Sequence, residues 1–247
     1  MRRPGIGLSV ALGLLWHGVG AHSATLAPSA DPVAAFASAA DSVYRAGGDS
    51  ALSQLVKDNP DLVGASVAKL LEGDAALAKR VAALSGSKAA QQLVDVSTRW
   101  TKAQRAQRAN AVALESQSVE ARKAGDTDKA IKLLSDARAI YEKIGDTHSV
   151  AVNLGTVGLT RFATGKWDEV IADYEKALVA RRAVEDRILE GRTLNGLGTA
   201  WQQKAEWSKA ADYYQQAVAV RTRTGDLTGL GTSGWISAAI SPLSPSP

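Results

Sequence analysis

The chain has 247 residues, 45% of them apolar, 22% charged and 5% aromatic, with no cysteine and a formal net charge of +4. That composition excludes a wholly disordered chain and leaves room for one extended or two compact domains, built from alanine-rich helices with small contact residues. Without cysteine there is no disulfide, thiolate metal ligand, cysteine nucleophile or cysteine-linked lipid, and the small charge excess does not imply a polyanionic partner.

Arg2-Arg3 precede an uncharged, mostly apolar run from Pro4 to Val19, followed by small residues around Ala21-His22-Ser23-Ala24. This layout predicts a signal peptide over residues 1–23, cleaved after Ser23 or, alternatively, after Ala27. The run is interrupted by His17 and is short for a membrane span of about 20 residues, so an exported protein with no stable span after cleavage is expected, in the periplasm or outside the cell. Loss of Arg2 and Arg3 would lower the net charge to about +2.

Residues 24–108 read as an alanine-rich helical region. Asp31-Pro32 and Asn59-Pro60 each place a capping residue before a proline at the first helical position, and Asp49-Ser50 is placed to open a further helix after the Gly47-Gly48 break. Leu62, Val63, Val67, Leu70 and Leu71 mark one apolar face, whose simplest partner is the segment that follows. From Ser87 to Lys123 there is neither proline nor glycine, which predicts one helix, or two with a weak break. On it Arg99, Lys102, Arg105 and Arg108 recur every three residues, and with Trp100 the one nearby aromatic they read as a solvated face and not as a nucleic-acid surface.

Residues 109–226 repeat. Gly165-Lys166-Trp167-Asp168-Glu169-Val170 returns forty positions later as Ala205-Glu206-Trp207-Ser208-Lys209-Ala210, and the segment after each copy returns too. Gly145-Asp146, Glu185-Asp186 and Gly225-Asp226 close three units, 109–146, 147–186 and 187–226, with Gly125, Gly165 and Ala205 at the turn inside each. In two of the linkers glycine suits the left-handed residue that ends a helix, and in all three aspartate suits the cap of the next. Each unit is therefore helix, tight turn, helix, linker.

This pattern resembles the tetratricopeptide repeat family, in its variant with repeats of about 40 residues. The family's first-helix leucine falls on Leu114, Leu154 and Leu194, and its next apolar position on Val157 and Leu197, with Gln117 departing in the first unit. Its small residue is Ser118, Gly158 and Gly198. Its second-helix alanines correspond to Ala130, Val170 and Ala210 and to Ala137, Ala177 and Ala217, and its aromatic position to Leu134, Tyr174 and Tyr214. The resemblance implies an all-α, right-handed helix-turn-helix solenoid that binds a protein or peptide along the inner curve formed by the first helices.

Carried onto this chain, the inner face comprises Glu115, Val119 and Arg122, then Val152, Gly155, Leu159 and Phe162, then Arg192, Asn195, Thr199 and Gln202. Arg192 and Asn195 suit a carboxylate or a peptide backbone, and Leu159 and Phe162 suit apolar contact or packing inside the solenoid. Gly158 and Gly198 stand within helical patterns although glycine there costs about 1 kcal/mol relative to alanine. Close approach of Tyr174 and Tyr214 on the paired helix is the expected offset.

After Asp226 the pattern weakens, with Gly234 and Ser237 at apolar positions and the Ser/Pro tail from Ser241 to Pro247 unable to form a helix. Residues 227–247 read as an incomplete fourth unit. Trp235 and Ile236 then either cover the third unit, stack on another copy, or belong to a longer protein.

Chemistry is sparse. His148 alone lies beyond the expected signal segment and reads as a solvated cap residue, so neither a serine triad nor a histidine metal site is expected, and no metal or cofactor is assigned. Gly229-x-Gly231-x-x-Gly234 fits a dinucleotide fingerprint but follows no strand. The expectation is a non-catalytic exported scaffold that binds protein and not nucleic acid. Its rival is the amino-terminal recognition part of a larger enzyme, such as a caspase-like peptidase, since similar repeats in bacteria often precede such a domain.

Overall fold

The computed structural model describes Leu26 and residues 31–224. The expected signal peptide, the third linker at Gly225-Asp226, the Gly229 to Gly234 sequence and the fourth half-unit with its self-association surface lie outside them. Among the described residues the fold is all-α. Ten helices follow one another: α1 Pro32–Asp58, α2 Val63–Leu70, α3 Ala75–Ser85, α4 Lys88–Thr98, α5 Lys102–Lys123, α6 Thr127–Ile144, α7 Thr147–Phe162, α8 Trp167–Ala183, α9 Arg187–Gln203 and α10 Trp207–Thr224.

Local chemistry places most of the boundaries. Asp31 caps α1 by accepting the amide of Ala34 at 3.0 Å, with Pro32 in the first turn. The Gly47-Gly48 break becomes a kink at Gly48, whose φ of 61° and ψ of −150° suit glycine, and the helix resumes beyond it. Asn59-Pro60 opens a 3-10 turn, Pro60–Leu62, without a side-chain cap bond. The apolar face of α2 buries Val63, Val67 and Leu70, and packs on α1, α3 and α4 rather than mainly on the first repeat. Most of that face is satisfied inside a small helical bundle.

The uninterrupted stretch from Ser87 to Lys123 is two helices with a firm break. Thr101 and Gln104 form a reciprocal capping box that starts α5. Between the helices Trp100 is 6% exposed, and its indole N–H donates to the carbonyl oxygen of Ile144 at 3.0 Å. The expected basic stripe is corrected accordingly. Arg99 ends α4, Lys102 and Arg105 are exposed on α5, and Arg108 is buried.

Helices α5 to α10 pair as three hairpins, α5 with α6, α7 with α8, and α9 with α10. The turns inside them carry positive φ at Gly125 (80°), Gly165 (69°) and Ala205 (59°), and the linkers at Gly145 (76°) and Glu185 (53°). Asp146 and Asp186 cap the helices that follow, accepting the amides of Ser149 and Leu189, each at 3.0 Å. A continuous apolar core runs from Phe36 and Leu52 through Leu93 and Trp100 to Ala111, Ala137 and Tyr141, so the N-terminal bundle and the first unit share an interior. A second core joins Val170, Tyr174, Leu194, Leu197 and Ala217. Leu194 and Leu197 are fully enclosed, each burial contributing about 1.5–3 kcal/mol.

Candidate binding groove

The forty-residue period also governs the polar interior. Tyr141, Arg181 and Arg221 occupy one repeat position on α6, α8 and α10; Glu115, Gly155 and Asn195 occupy another on α5, α7 and α9. In the first unit the Tyr141 hydroxyl donates to Glu115 Oε2 at 3.0 Å, while Asn153 Nδ2 donates to Glu115 Oε1 at 3.0 Å. In the second, Gly155 leaves the space that the Arg181 guanidinium fills. Arg181 donates to the Leu189 carbonyl at 2.9 Å and to the hydroxyl of Thr193, which stands at the repeat position of Asn153. In the third, the stem of Arg221 lies beside Gly191, where an added Cβ would meet it at 3.0 Å. Arg181 thus reaches from its second helix to two successive first helices, α7 and α9, and Tyr141 and Arg221 hold the same position on α6 and α10.

Burial shapes the charges of these groups. The Arg181 guanidinium falls to about 10 because it is desolvated, with Asp186 opposing that fall. Desolvation also raises Glu115 above the usual carboxylate range, against the hydrogen bonds from Asn153 and Tyr141. The Tyr141 phenol is raised by burial and by Glu115 beside it.

The N-terminal bundle lies against the start of this array. Arg108 on α5 donates through Nε to Asp146 at 3.0 Å and through Nη1 to the Ala68 carbonyl of α2 at 3.5 Å. His148 is not the solvated cap residue its position suggested. It is 4% exposed, and a Cβ at Gly64 of α2 would come within 3.1 Å of its imidazole, so α2 covers the ring through a residue that has no side chain. Desolvation lowers the His148 imidazole below its ordinary value, opposed by Asp186 and Asp146. Val33, Ala65 and Ala68 face Arg108, Glu115 and His148 across a cavity of about 200 Å³. Further along, Lys88 of α4 pairs with Glu185 at 2.7 Å, and Ala89 packs with Ala151 and Val184.

Comparison with known proteins matches residues 118–178 and 149–223 to the tetratricopeptide repeat. From residue 118 to residue 223 the chain is built of tetratricopeptide repeats. Among solved structures it is similar to a Signal Transduction ATPase with Numerous Domains (STAND) protein with a tetratricopeptide repeat sensor from Pyrococcus horikoshii, at 17% identity and a TM-score of 0.47. That similarity covers 84% of this chain and 32% of the other, so the chain spans about a third of that protein. No curated protein compared with the chain matches it.

On the tetratricopeptide scaffold, the positions assigned from the sequence to the inner face divide into three environments. Glu115 and Val152 line the covered cavity, and Gly155 is filled by Arg181. Thr199 and Gln202 are tied to the neighbouring second helix: the Tyr214 hydroxyl lies 3.2 Å from Thr199 Oγ1 and donates to Gln202 Oε1 at 2.8 Å. Leu159 is 55% exposed, Arg122 is exposed, and Val119, Phe162, Arg192 and Asn195 are half-buried. Phe162 meets Trp167 edge-on with ring centroids 5.0 Å apart. The accessible stretch is therefore centred on the C-terminal part of α7 and the adjacent face of α9.

The positions assigned to packing lie between the paired helices. A Cβ at Gly158 would sit 2.7 Å from Tyr174, and one at Gly198 would sit 2.8 Å from Tyr214. Ala177 and Ala217 have no exposed surface. Arg108, Tyr141, His148, Asn153 and Arg181 were not recognised as interior polar residues from the sequence. Following Tyr141 forward at the forty-residue period to Arg181 and Arg221 is the signal that groups two of them with a third long side chain.

Proposed function

We propose that this tetratricopeptide protein is a non-catalytic, exported scaffold that holds an extended protein segment on the open stretch of its inner face. The observation that carries this reading is the division of that face: α2 covers its start at His148 and Glu115, while Leu159 stays 55% exposed beside the half-buried Phe162, Arg192 and Asn195. Apolar contact from Leu159 and Phe162 next to polar side chains on α9 suits an extended peptide, whose backbone needs hydrogen bonds and whose side chains need pockets. The repeats supply a fixed row of such positions.

Site-specific photocrosslinking in cell-envelope extract tests the reading. A reactive group at residue 159 should capture a partner that the same group at residue 179, exposed on α8, does not. Equal capture at both positions, or none at 159, would overturn the proposed face. Export rests on the pattern of residues 1–23 and predicts a mature chain beginning at Ala24 or Pro28. Amino-terminal sequencing of protein recovered from the periplasm or medium checks it, and an intact Met1 would refute it.

A further inference from the structure

The cavity beneath α2 has a charge arrangement that the peptide-binding reading does not use. Its two cations are already paired: Arg108 with Asp146 at 3.0 Å and more loosely with Glu72 at 3.8 Å, and Lys69 with Glu72 at 2.8 Å on the rim. Glu115 in the cavity wall receives only the neutral donors Tyr141 and Asn153, and makes no ion pair among the described residues. With Asp146 included, three carboxylates stand against two cations. Glu115 is half-buried and desolvated, which raises it toward its neutral form, and the one cation acting on it, Arg108, is bonded to Asp146 instead.

A second, independent observation points the same way. The buried His148, 4% exposed, lines the same cavity and has an Nδ1 with no hydrogen-bond partner among the described residues. Behind the wall, the fully buried Asn153, bonded to Glu115 through Nδ2, also has an Oδ1 with no hydrogen-bond partner among the described residues. The acceptors on the cavity are thus the Glu115 carboxylate, with lone pairs beyond its two hydrogen bonds, and His148 Nδ1 in the tautomer that leaves it unprotonated, and they suit a donor with several N–H bonds and a positive charge. The remaining walls, Val33, Ala65, Ala68, Val112 and Val152, are apolar and suit a hydrocarbon stem.

We propose that the cavity between α2 and helices α5 and α7 binds a primary ammonium on a short apolar stem, with the Glu115 carboxylate as its counter-ion. The ammonium belongs either to a small free amine or to the lysine side chain of a bound peptide. The site is separate from the open groove at Leu159 and does not depend on it.

Calorimetric titration of the whole protein with n-butylamine and with Nα-acetyl-lysine amide tests the proposal. Binding of both identifies the ammonium and stem as sufficient, and binding of the second alone identifies the lysine side chain as the source. Butyltrimethylammonium, which carries the charge without N–H donors, should bind at least about tenfold more weakly. Glu115→Gln removes the counter-ion, and Ala68→Leu fills the cavity from the opposite wall without changing any charge. Each should weaken amine binding at least about tenfold while circular dichroism stays that of the native protein. If Glu115→Gln does not fold, the Ala68→Leu result decides. Failure of both amines to bind, tight binding of butyltrimethylammonium, or native affinity in a folded variant would overturn the proposal.

Discussion

Arg108 and Asp146 form a buried ion pair at 3.0 Å, with side-chain exposures of 7% and 0%. Asp146 also accepts the Ser149 amide at 3.0 Å and the Ser149 hydroxyl at 2.7 Å, so it caps α7 while neutralising Arg108. Since Arg108 reaches the Ala68 carbonyl as well, one guanidinium links α2 and α5 to the linker that begins the second unit. Removing Arg108 leaves the Asp146 carboxylate buried without an ion-pair partner among the described residues.

Arg108→Ala should therefore cost about 3–5 kcal/mol, whereas Lys88→Ala, which removes an exposed pair with Glu185, should cost less than about 1 kcal/mol. Chemical denaturation of the two variants beside the parent protein measures the contrast. Equal losses would show that the buried pair does not hold the bundle to the repeats.

Gly198→Ala places a methyl 2.8 Å from the Tyr214 ring, which is 1% exposed and has little room to retreat. Overpacking of about 1–3 kcal/mol should outweigh the gain of about 1 kcal/mol in helix propensity. The expected result is a lower melting temperature, partly restored when Tyr214→Leu is combined with it. Additive losses in the double variant would mean that the two positions are not coupled.

Ala205 holds a φ of 59° at the repeat position where Gly125 and Gly165 hold 80° and 69°. An L-residue in that region carries about 1–2 kcal/mol of strain, set against the extra freedom that glycine has when unfolded. Ala205→Gly should raise stability by roughly 0.5–1 kcal/mol, a gain readable from the denaturation midpoint. A fall would show that the local strain is already relieved.

Two desolvated groups set opposite pH dependences. His148, desolvated and facing Asp186, Asp146, Arg108 and Arg181, has its folded pKa lowered, so its contribution is present above the unfolded value and lost as pH falls through the folded one. Lowering the pH from about 7 to about 5 should lower the melting temperature, and less so in His148→Leu. Glu115 is raised by burial, so its contribution is present below the unfolded carboxylate value and lost as pH rises through the folded one. Glu115→Gln should accordingly melt higher than the parent at pH 7, with the difference closing below about pH 4. A constant difference at all pH values would separate it from titration.

The repeats were legible because their signals are local and recur. Gly145 and Asp146 announce a helix end and the next cap within two residues, and Gly158 and Gly198 mark a close helix approach at a forty-residue spacing. The interior polar residues were harder to read. His148 follows a cap aspartate, where exposure is the ordinary expectation, and only the arrival of Gly64 from more than eighty residues earlier in the chain encloses it. Arg108 fits a basic stripe by spacing, and leaves it because α4 breaks at Trp100 and Asp146 lies behind it.

By itself the sequence determined the helical repeat, its turns and its caps, since apolar period and capping chemistry act over a few residues and are restated in each unit. Tertiary structure alone decided how the unrepeated helices α1 to α4 meet the solenoid, and hence which part of its inner face is covered and which is open. That docking depends on complementary surfaces far apart in the chain: Gly64 against His148, Trp100 against Ile144, Lys88 against Glu185. No local pattern encodes such pairs, because each partner is compatible with exposure until the other arrives.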